Sequence, residues 1–173
     1  MEAISEQRLA LVNPLLRAKV QAAAAAAAAQ GVYFRVACGL RTYEEENALW
    51  HTGRDANGNP IPKGQPGHGI VTNARGGYSN HNFGCAVDCY PFVQGETGAL
   101  DLTDPNAPEF RVMVAALKAQ GLAWGGDWES IVDEPHFQLA NVPVTPVNAD
   151  RVAFAKGGLP AVWALYEPKE ETA

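Results

Sequence analysis

The chain has 173 residues, a length typical of one domain. Hydrophobic residues make up 47% and charged residues 18%, which excludes a disordered chain and provides enough apolar material for a core without disulfides. The net charge of −6 argues against a nucleic-acid binder, which needs clustered Lys and Arg, and the sequence has no polybasic segment for anionic membranes.

The first residues are acidic where a secretory signal would be positively charged, and Pro14 interrupts the apolar stretch. We therefore expect a protein made in the cytoplasm without a signal peptide. The alanine run 22–29 is too short to span a bilayer, so no stable membrane association is expected. The sequence has no coiled-coil pattern, and the expected state is a monomer.

The first predicted elements are a helix, a strand and a second helix. The first helix begins at Pro14, because Asn13 can cap it and proline is favoured at the first helical position. The alanine tract continues this helix up to Gly31, since alanine has the highest helix propensity. Residues 32–38 alternate and are rich in β-branched and aromatic side chains, which predicts a strand. A capping-box pattern then opens a short helix over residues 42–50.

Residues 53–80 are rich in Gly, Pro, Asn and Asp and predict a long irregular segment, which in compact domains is usually functional. The later predicted elements are a strand over 83–92, a helix over 107–120, a short strand over 135–140, and a helical stretch over 149–156, followed by a segment over 159–166. The polar tail 168–173 is expected to be frayed. This order predicts one domain over residues 1–173 of the α+β class, with a small, mostly antiparallel sheet and helices packed around it.

A carboxylate in an otherwise apolar strand is the first indication of a functional site. Asp88 follows His81 by seven residues and shares a strand face with Ala86 and Tyr90. It is costly there unless it is paired or bound to a metal. His136, in the next apolar strand, is a third candidate ligand, and two His with one carboxylate and an open fourth position are typical of catalytic zinc sites. The alternative is two hydrogen-bonded core histidines and an Asp that caps a strand end.

Three cysteines, a low and odd number, predict no disulfide framework. Cys85 and Cys89 would lie about 13 Å apart along one strand, too far to bridge directly. They occupy the strand face opposite Asp88, so we interpret them as small buried core residues rather than as metal ligands.

Two motifs carry a family resemblance. Ser79-x-His81-x-x-Gly84-x-Ala86-x-Asp88, followed by Asp133-x-x-His136, resembles the signature of the zinc D-Ala-D-Ala carboxypeptidase and L-alanyl-D-glutamate endopeptidase family, peptidase family M15. Further segments resemble its phage endolysin-like branch: Gly39–Thr42, Gly53-Arg54, Pro66-Gly67, Val71–Ala74 and Trp124–Trp128. The resemblance covers residues 35–140, the core motif region of a single catalytic domain.

The resemblance implies one Zn²⁺ ion held by His81, Asp88 and His136 in a surface cleft. It implies Asp133 as the general base, three residues before the last ligand. Glu134 is the rival, because it would share a face with His136 if the strand were already regular there. A turn before the strand would favour Asp133 instead.

Further side chains have an implied role and a simpler alternative. Arg41 is implied to stabilise the oxyanion or to hold a substrate carboxylate, although an exposed cation is the commonest fate of an arginine. Ser79, Asp127 and Trp128 are candidate substrate-binding residues; Asp127 and Trp128 could equally be turn and packing residues. His68 is a possible extra ligand in the glycine-rich segment, where exposure to solvent is the alternative.

The function implied by the resemblance is hydrolysis of peptidoglycan stem peptides by an L-alanyl-D-glutamate endopeptidase, acting as a phage-type endolysin that reaches the bacterial wall after release. A D-Ala-D-Ala carboxypeptidase of the same fold is the first alternative. A non-catalytic zinc-containing wall-binding module is the second, and the presence of both Asp133 and Arg41 argues against it.

Overall fold

The structure, a computed structural model, describes residues 1–92, 106–129 and 132–167. Its four strands form one sheet in the order β1-β2-β4-β3, and every neighbouring pair is antiparallel. The strands are β1 (Tyr33–Cys38), β2 (Ala86–Phe92), β3 (Leu122–Trp124) and β4 (His136–Leu139). The helices in the described ranges are α1 (Ala3–Leu9), α2 (Pro14–Ala28), α3 (Tyr43–His51), α4 (Pro108–Ala119) and α5 (Asn148–Trp163). The predicted α+β class is confirmed, and the tail 168–173 lies outside the described residues.

Local capping chemistry sets the helix starts where it was predicted to. The Asn13 side chain accepts hydrogen bonds from the main-chain nitrogens of Leu15 (2.8 Å) and Leu16 (3.4 Å) at the start of α2. At α3, Thr42 and Glu45 bond each other's main-chain nitrogens through their side chains, which forms the predicted capping box. None of the helices in the described ranges has the length and apolar character needed to cross a membrane.

Tertiary contacts create two elements that were not predicted. Helix α1 has only seven residues and lies on strand β1: Ser5 accepts a hydrogen bond from the main-chain nitrogen of Val36 (3.0 Å), and Arg8 donates to the Val36 oxygen (2.7 Å). Strand β3 has three residues and exists through its pairing with β4. Both are too short to be stable without these partners.

The start of the second predicted strand was wrong. Residues Asn80–Phe83 form a short 3₁₀ helix, which ends at Gly84 with φ +62°, and β2 begins only at Ala86. The 3₁₀ turn is capped by Ser79, whose hydroxyl accepts from the His81 nitrogen at 3.3 Å. The helical stretch predicted over 149–156 is part of α5, which continues to Trp163 past a non-helical break at Gly157 and Gly158.

The core lies between one face of the sheet and helices α2 and α4. Its buried side chains include Leu16 and Val20 of α2, Met113 and Leu117 of α4, and Val87 of β2. Alternation along β2 turns the neighbouring side chains to the other face. That face carries the candidate site.

Candidate active site

Strand register brings Asp88 and His136 together. Asp88 of β2 is directly opposite His136 of β4 in the antiparallel pair, so both side chains project from the same face of the sheet. His81 approaches from the preceding 3₁₀ turn, which main-chain bonds hold: Arg41 N donates to His81 O (3.1 Å) and Cys85 N donates to Asn80 O (3.0 Å).

The three predicted ligands form one compact group of donor atoms. His81 Nε2 lies 3.2 Å from Asp88 Oδ1 and 3.2 Å from His136 Nδ1. His136 Nδ1 lies 3.7 Å from the same carboxylate oxygen. The two histidines are buried, and the Asp88 side chain is 17% exposed.

These separations fit a single zinc ion. Two N or O ligands, each about 2.0–2.1 Å from zinc and arranged tetrahedrally, lie about 3.3 Å apart. The outer nitrogens are also oriented, because His81 Nδ1 is 2.9 Å from Gly39 O and His136 Nε2 is 3.2 Å from Gln138 Oε1. Such outer partners fix the ring orientation of metal-binding histidines.

A cysteine that sequence reasoning did not single out joins this group. The sulfur of Cys38 and donor atoms of His81 and Asp88 all lie within 4.8 Å of one another, a second possible metal-ligating set that shares two members with the first. The register of β1 and β2 brings Cys38 to this position, because it pairs Cys38 with Asp88 across a bulge. Cys85 and Cys89 are core residues with 1% and 0% exposure, as predicted.

The electrostatics of the group follow from its close opposite charges. Burial by itself would lower the pKa of His81, but the adjacent Asp88 carboxylate raises that pKa well above its usual value. Burial would raise the pKa of Asp88, yet His81 and His136 hold it well below its usual range. Asp88 is therefore an anion, the form in which a carboxylate binds a cation.

A turn before β4 places Asp133 beside the group. The His136 nitrogen donates to Asp133 O (3.2 Å), and the Asp133 nitrogen donates to Gly125 O (3.1 Å). Asp133 Oδ2 lies 3.9 Å from His136 Nδ1, and the side chain is 44% exposed. Burial raises the pKa of Asp133 and the Asp88 carboxylate adds to this rise, against the lowering effect of nearby cations. The main-chain oxygen of Glu134 accepts a hydrogen bond from Trp124 Nε1 at 2.6 Å.

Arg41 is held at the edge of the group by a buried carboxylate. Its Nη1 lies 2.9 Å from Glu46 Oε2, and Glu46 is fully buried. Its Nη2 lies 3.6 Å from Asp88 Oδ2 and 3.1 Å from the Cys38 sulfur. Burial would lower the pKa of Arg41, but Cys38, Glu46 and Asp88 together raise it, so the guanidinium stays charged.

The remaining predicted residues occupy different places. Trp128 lies against the site, with its ring centroid 5.0 Å from that of His136. Asp127 points its carboxylate at the exposed Lys118, 2.6 Å from its Nζ. Ser79 caps the turn that carries His81. His68 is exposed and bonds Gln65 O through Nδ1 (2.9 Å).

Comparisons with known proteins point to one peptidase family. A peptidase M15 family model described as D-alanyl-D-alanine carboxypeptidase matches residues 72–139. The peptidoglycan L-alanyl-D-glutamate endopeptidase CwlK of Bacillus subtilis is 31% identical over 134 residues, which cover 74% of this chain and 73% of CwlK. The L-alanyl-D-glutamate peptidase of Listeria phage A118 is 36% identical over 61 residues, 35% of this chain and 21% of the phage protein.

The fold is also that of a solved structure. The crystal structure of the L-Ala D-Glu endopeptidase ChiX of Serratia marcescens superposes with a TM-score of 0.50 at 22% identity, over 80% of this chain and 88% of ChiX. The extent and identity of the CwlK match, together with the matched family model, show that the chain belongs to the peptidase M15 family.

Proposed function

We propose that this peptidase is a zinc-dependent L-alanyl-D-glutamate endopeptidase that cuts the stem peptides of bacterial peptidoglycan. The observation that carries the proposal is the group of three donor atoms 3.2–3.7 Å apart, with the partly exposed Asp133 carboxylate 3.9 Å from His136 and the Arg41 guanidinium 3.6 Å from Asp88. The names of the Bacillus and phage relatives support both the substrate and the bond.

His81, Asp88 and His136 are the proposed ligands of one Zn²⁺ ion, and Cys38 is close enough to influence it. Zinc bound there supplies Lewis-acid chemistry to the hydrolysis. Gln138 and the Gly39 carbonyl hold the two imidazoles in the ligating orientation.

Asp133 is the proposed general base, because its carboxylate lies next to the donor group and is open to solvent. It takes a proton from the attacking water and passes it to the leaving amine. A raised pKa suits both steps, since a base works best when its pKa is near the working pH. Glu134 has no comparable contact with the donor group among the described residues.

Arg41 is the proposed stabiliser of the negative charge that develops on the scissile carbonyl oxygen. Its ion pair with Glu46 fixes the guanidinium in advance, so little reorganisation is needed during the reaction. Trp128 is proposed to pack against the substrate next to His136. Ser79 and Asp127 remain proposed substrate-binding residues, Ser79 through its position before the His81 turn.

The alternative of a D-Ala-D-Ala carboxypeptidase is favoured by the description of the matched family model. It differs in the product, free D-Ala, and in the need for a free C-terminal carboxylate. A non-catalytic zinc-containing wall-binding module would need neither Asp133 nor Arg41 at the site. We further propose that the enzyme acts on the wall after release from the cytoplasm, as a phage-type endolysin does.

The test is a digest of purified peptidoglycan with and without a chelator, followed by mass analysis of fragments and new amino termini. A new D-Glu terminus that disappears with chelator is expected. Asp133→Asn should lower the rate by about 10²–10⁴-fold, whereas the neighbouring Glu134→Gln should leave it within a few-fold of the parent. Release of D-Ala would replace the endopeptidase with the carboxypeptidase, and no cleavage with added zinc would overturn the proposal.

A further inference from the structure

One arginine lines a cavity outside the candidate site, and two further arginines lie over aromatic rings of the cavity lining. The cavity has a volume of about 520 Å³ and is lined by Trp50, Asn73, Ala74, Arg75, Tyr78 and Thr145. Two of the arginines stack on one ring: the guanidinium carbons of Arg75 and Arg54 lie 4.0 Å and 4.5 Å from the Trp50 ring centroid. The third, Arg151, lies 4.5 Å from the centroid of the Tyr78 ring.

These arginines have no acidic partner in the part of the chain that the structure describes. The ion pairs found there involve Arg35, Arg41, Lys118 and the two site histidines, and none of the three stacked arginines. Arg54 and Arg151 bond neutral oxygens, such as Thr72 O for Arg54 (3.0 Å) and Pro146 O for Arg151 (3.1 Å).

Arg75 differs from the other two because it lines the cavity and is exposed, and its guanidinium lies over the Trp50 ring. Stacking uses only the face of a guanidinium, so its N–H groups can still donate to an acceptor. In a chain with net charge −6, the three arginines are a local concentration of positive charge.

Short stretches of chain connect the lining of the cavity to the donor group. Tyr78 is three residues before His81, so their Cα atoms are no more than about 11 Å apart. On the other side, Thr145 follows Val144, whose oxygen accepts from the side chain of Asn80 at 3.1 Å. An extended peptide advances about 3.3–3.6 Å per residue, so a few residues of a bound stem peptide would reach from the donor group to the cavity.

We propose that the cavity is an oxyanion-binding subsite in which Arg75, supported by Arg54 and Arg151, holds an anionic group of the wall polymer. The inference rests on the proposed function, which places peptidoglycan at the adjacent site. Two wall components carry the required chemistry: the free carboxylates of the stem peptide and the phosphates of teichoic acid. A planar guanidinium binds either group through two parallel hydrogen bonds.

The matched variants are Arg75→Ala and Arg111→Ala. Both remove one exposed arginine, and Arg111 lies on α4 and does not line the cavity. Binding is measured by calorimetry in the zinc-loaded, full-length Asp133→Asn background, with two soluble probes. One is an L-Ala–γ-D-Glu–diaminopimelate tripeptide with free carboxylates, and the other is the same peptide with amidated carboxylates. Thermal unfolding confirms that each variant is folded.

Arg75→Ala should weaken binding of the free-carboxylate peptide about 3- to 10-fold, the range of a partly exposed charge-assisted contact. It should leave the amidated peptide unchanged, and Arg111→Ala should change neither. Added salt should reduce the difference between parent and Arg75→Ala. This result assigns the subsite to stem-peptide carboxylates.

A second arm uses whole walls with and without teichoic acid. If Arg75→Ala weakens binding only to walls that carry teichoic acid, and not to the soluble peptides, the subsite takes phosphate instead. Equal behaviour of Arg75→Ala and Arg111→Ala in both arms overturns the inference. Its failure is distinct from failure of the proposed function, which is read from cleavage of peptidoglycan by the parent protein.

Discussion

Gly125 holds the turn that carries Asp133 and His136, and its replacement tests how the site is built. It is buried at the end of β3, and its main-chain oxygen accepts from the Asp133 nitrogen at 3.1 Å. A Cβ atom at this position would approach the main-chain oxygen of Asp133 to less than 3.0 Å, a separation that real Cβ atoms essentially never show. It would also lie 3.1 Å from the Cβ of His136.

Gly125→Ala must therefore move main chain rather than a flexible side chain. A displacement of about 1 Å at a reacting group costs about 10²-fold in rate, so kcat/KM on the stem peptide should fall by about that factor. Overpacking of this kind should lower the free energy of unfolding by about 1–3 kcal/mol. Each kcal/mol should lower Tm by about 2–4 °C in a chain of this size.

The control is Gly31→Ala, where φ is +77° and a Cβ would meet nothing within 4 Å. Backbone strain should cost about 1–2 kcal/mol of stability there without changing kcat/KM. Both variants are measured by peptide hydrolysis and by thermal unfolding. The reasoning is refuted if Gly125→Ala loses stability as the control does but retains the parent kcat/KM, because the Asp133 turn would then tolerate the added methyl group.

Three further predictions concern metal binding and pH. Asp88→Asn removes the proposed anionic ligand and should abolish zinc binding at micromolar metal, and with it hydrolysis. Retention of one tightly bound zinc, measured by elemental analysis, would argue against Asp88 as a ligand. Gln138→Ala removes the acceptor beside His136 Nε2 and should weaken zinc binding about 10–100-fold in competition with a chromophoric chelator, and unchanged affinity would contradict the orienting role. Glu2 pairs with Arg35 (Nη2–Oε2 2.9 Å), which lowers the pKa of Glu2, so its contribution to stability is present above the unfolded-state pKa and is lost as the pH falls through the lower folded-state pKa. Glu2→Gln should therefore cost at most about 1 kcal/mol at neutral pH and nothing in strong acid, as measured by urea unfolding, and an equal loss at both pH values would exclude the ion pair as the cause.

Local chemistry was enough to predict much of the fold. The start of α2 at Pro14 and the capping box at Thr42 were predictable because their hydrogen bonds join residues close in sequence. The alternation around Asp88 correctly separated the face of Cys85 and Cys89 from the face of the site, since the strand period is two.

Elements made by distant partners were not predictable in this way. Helix α1 depends on hydrogen bonds from Ser5 and Arg8 to β1, and β3 depends on pairing with β4. Phe83 was predicted to begin the second strand because an aromatic residue also suits one, but it ends the 3₁₀ turn Asn80–Phe83. In each case the local preference is weak, and a tertiary contact decides the outcome.

The same division applies to the candidate site. The sequence by itself determined the candidate residues: His81, Asp88 and His136 in a motif that resembles the M15 signature, with an acidic residue shortly before the last histidine. Only the tertiary structure decided that the Asp133 carboxylate lies 3.9 Å from His136 Nδ1, and that Cys38 lies beside His81 and Asp88. The physical reason is that donor atoms must lie within a few ångströms of one another, and strand register, bulges and turns set distances of that size between residues far apart in the chain.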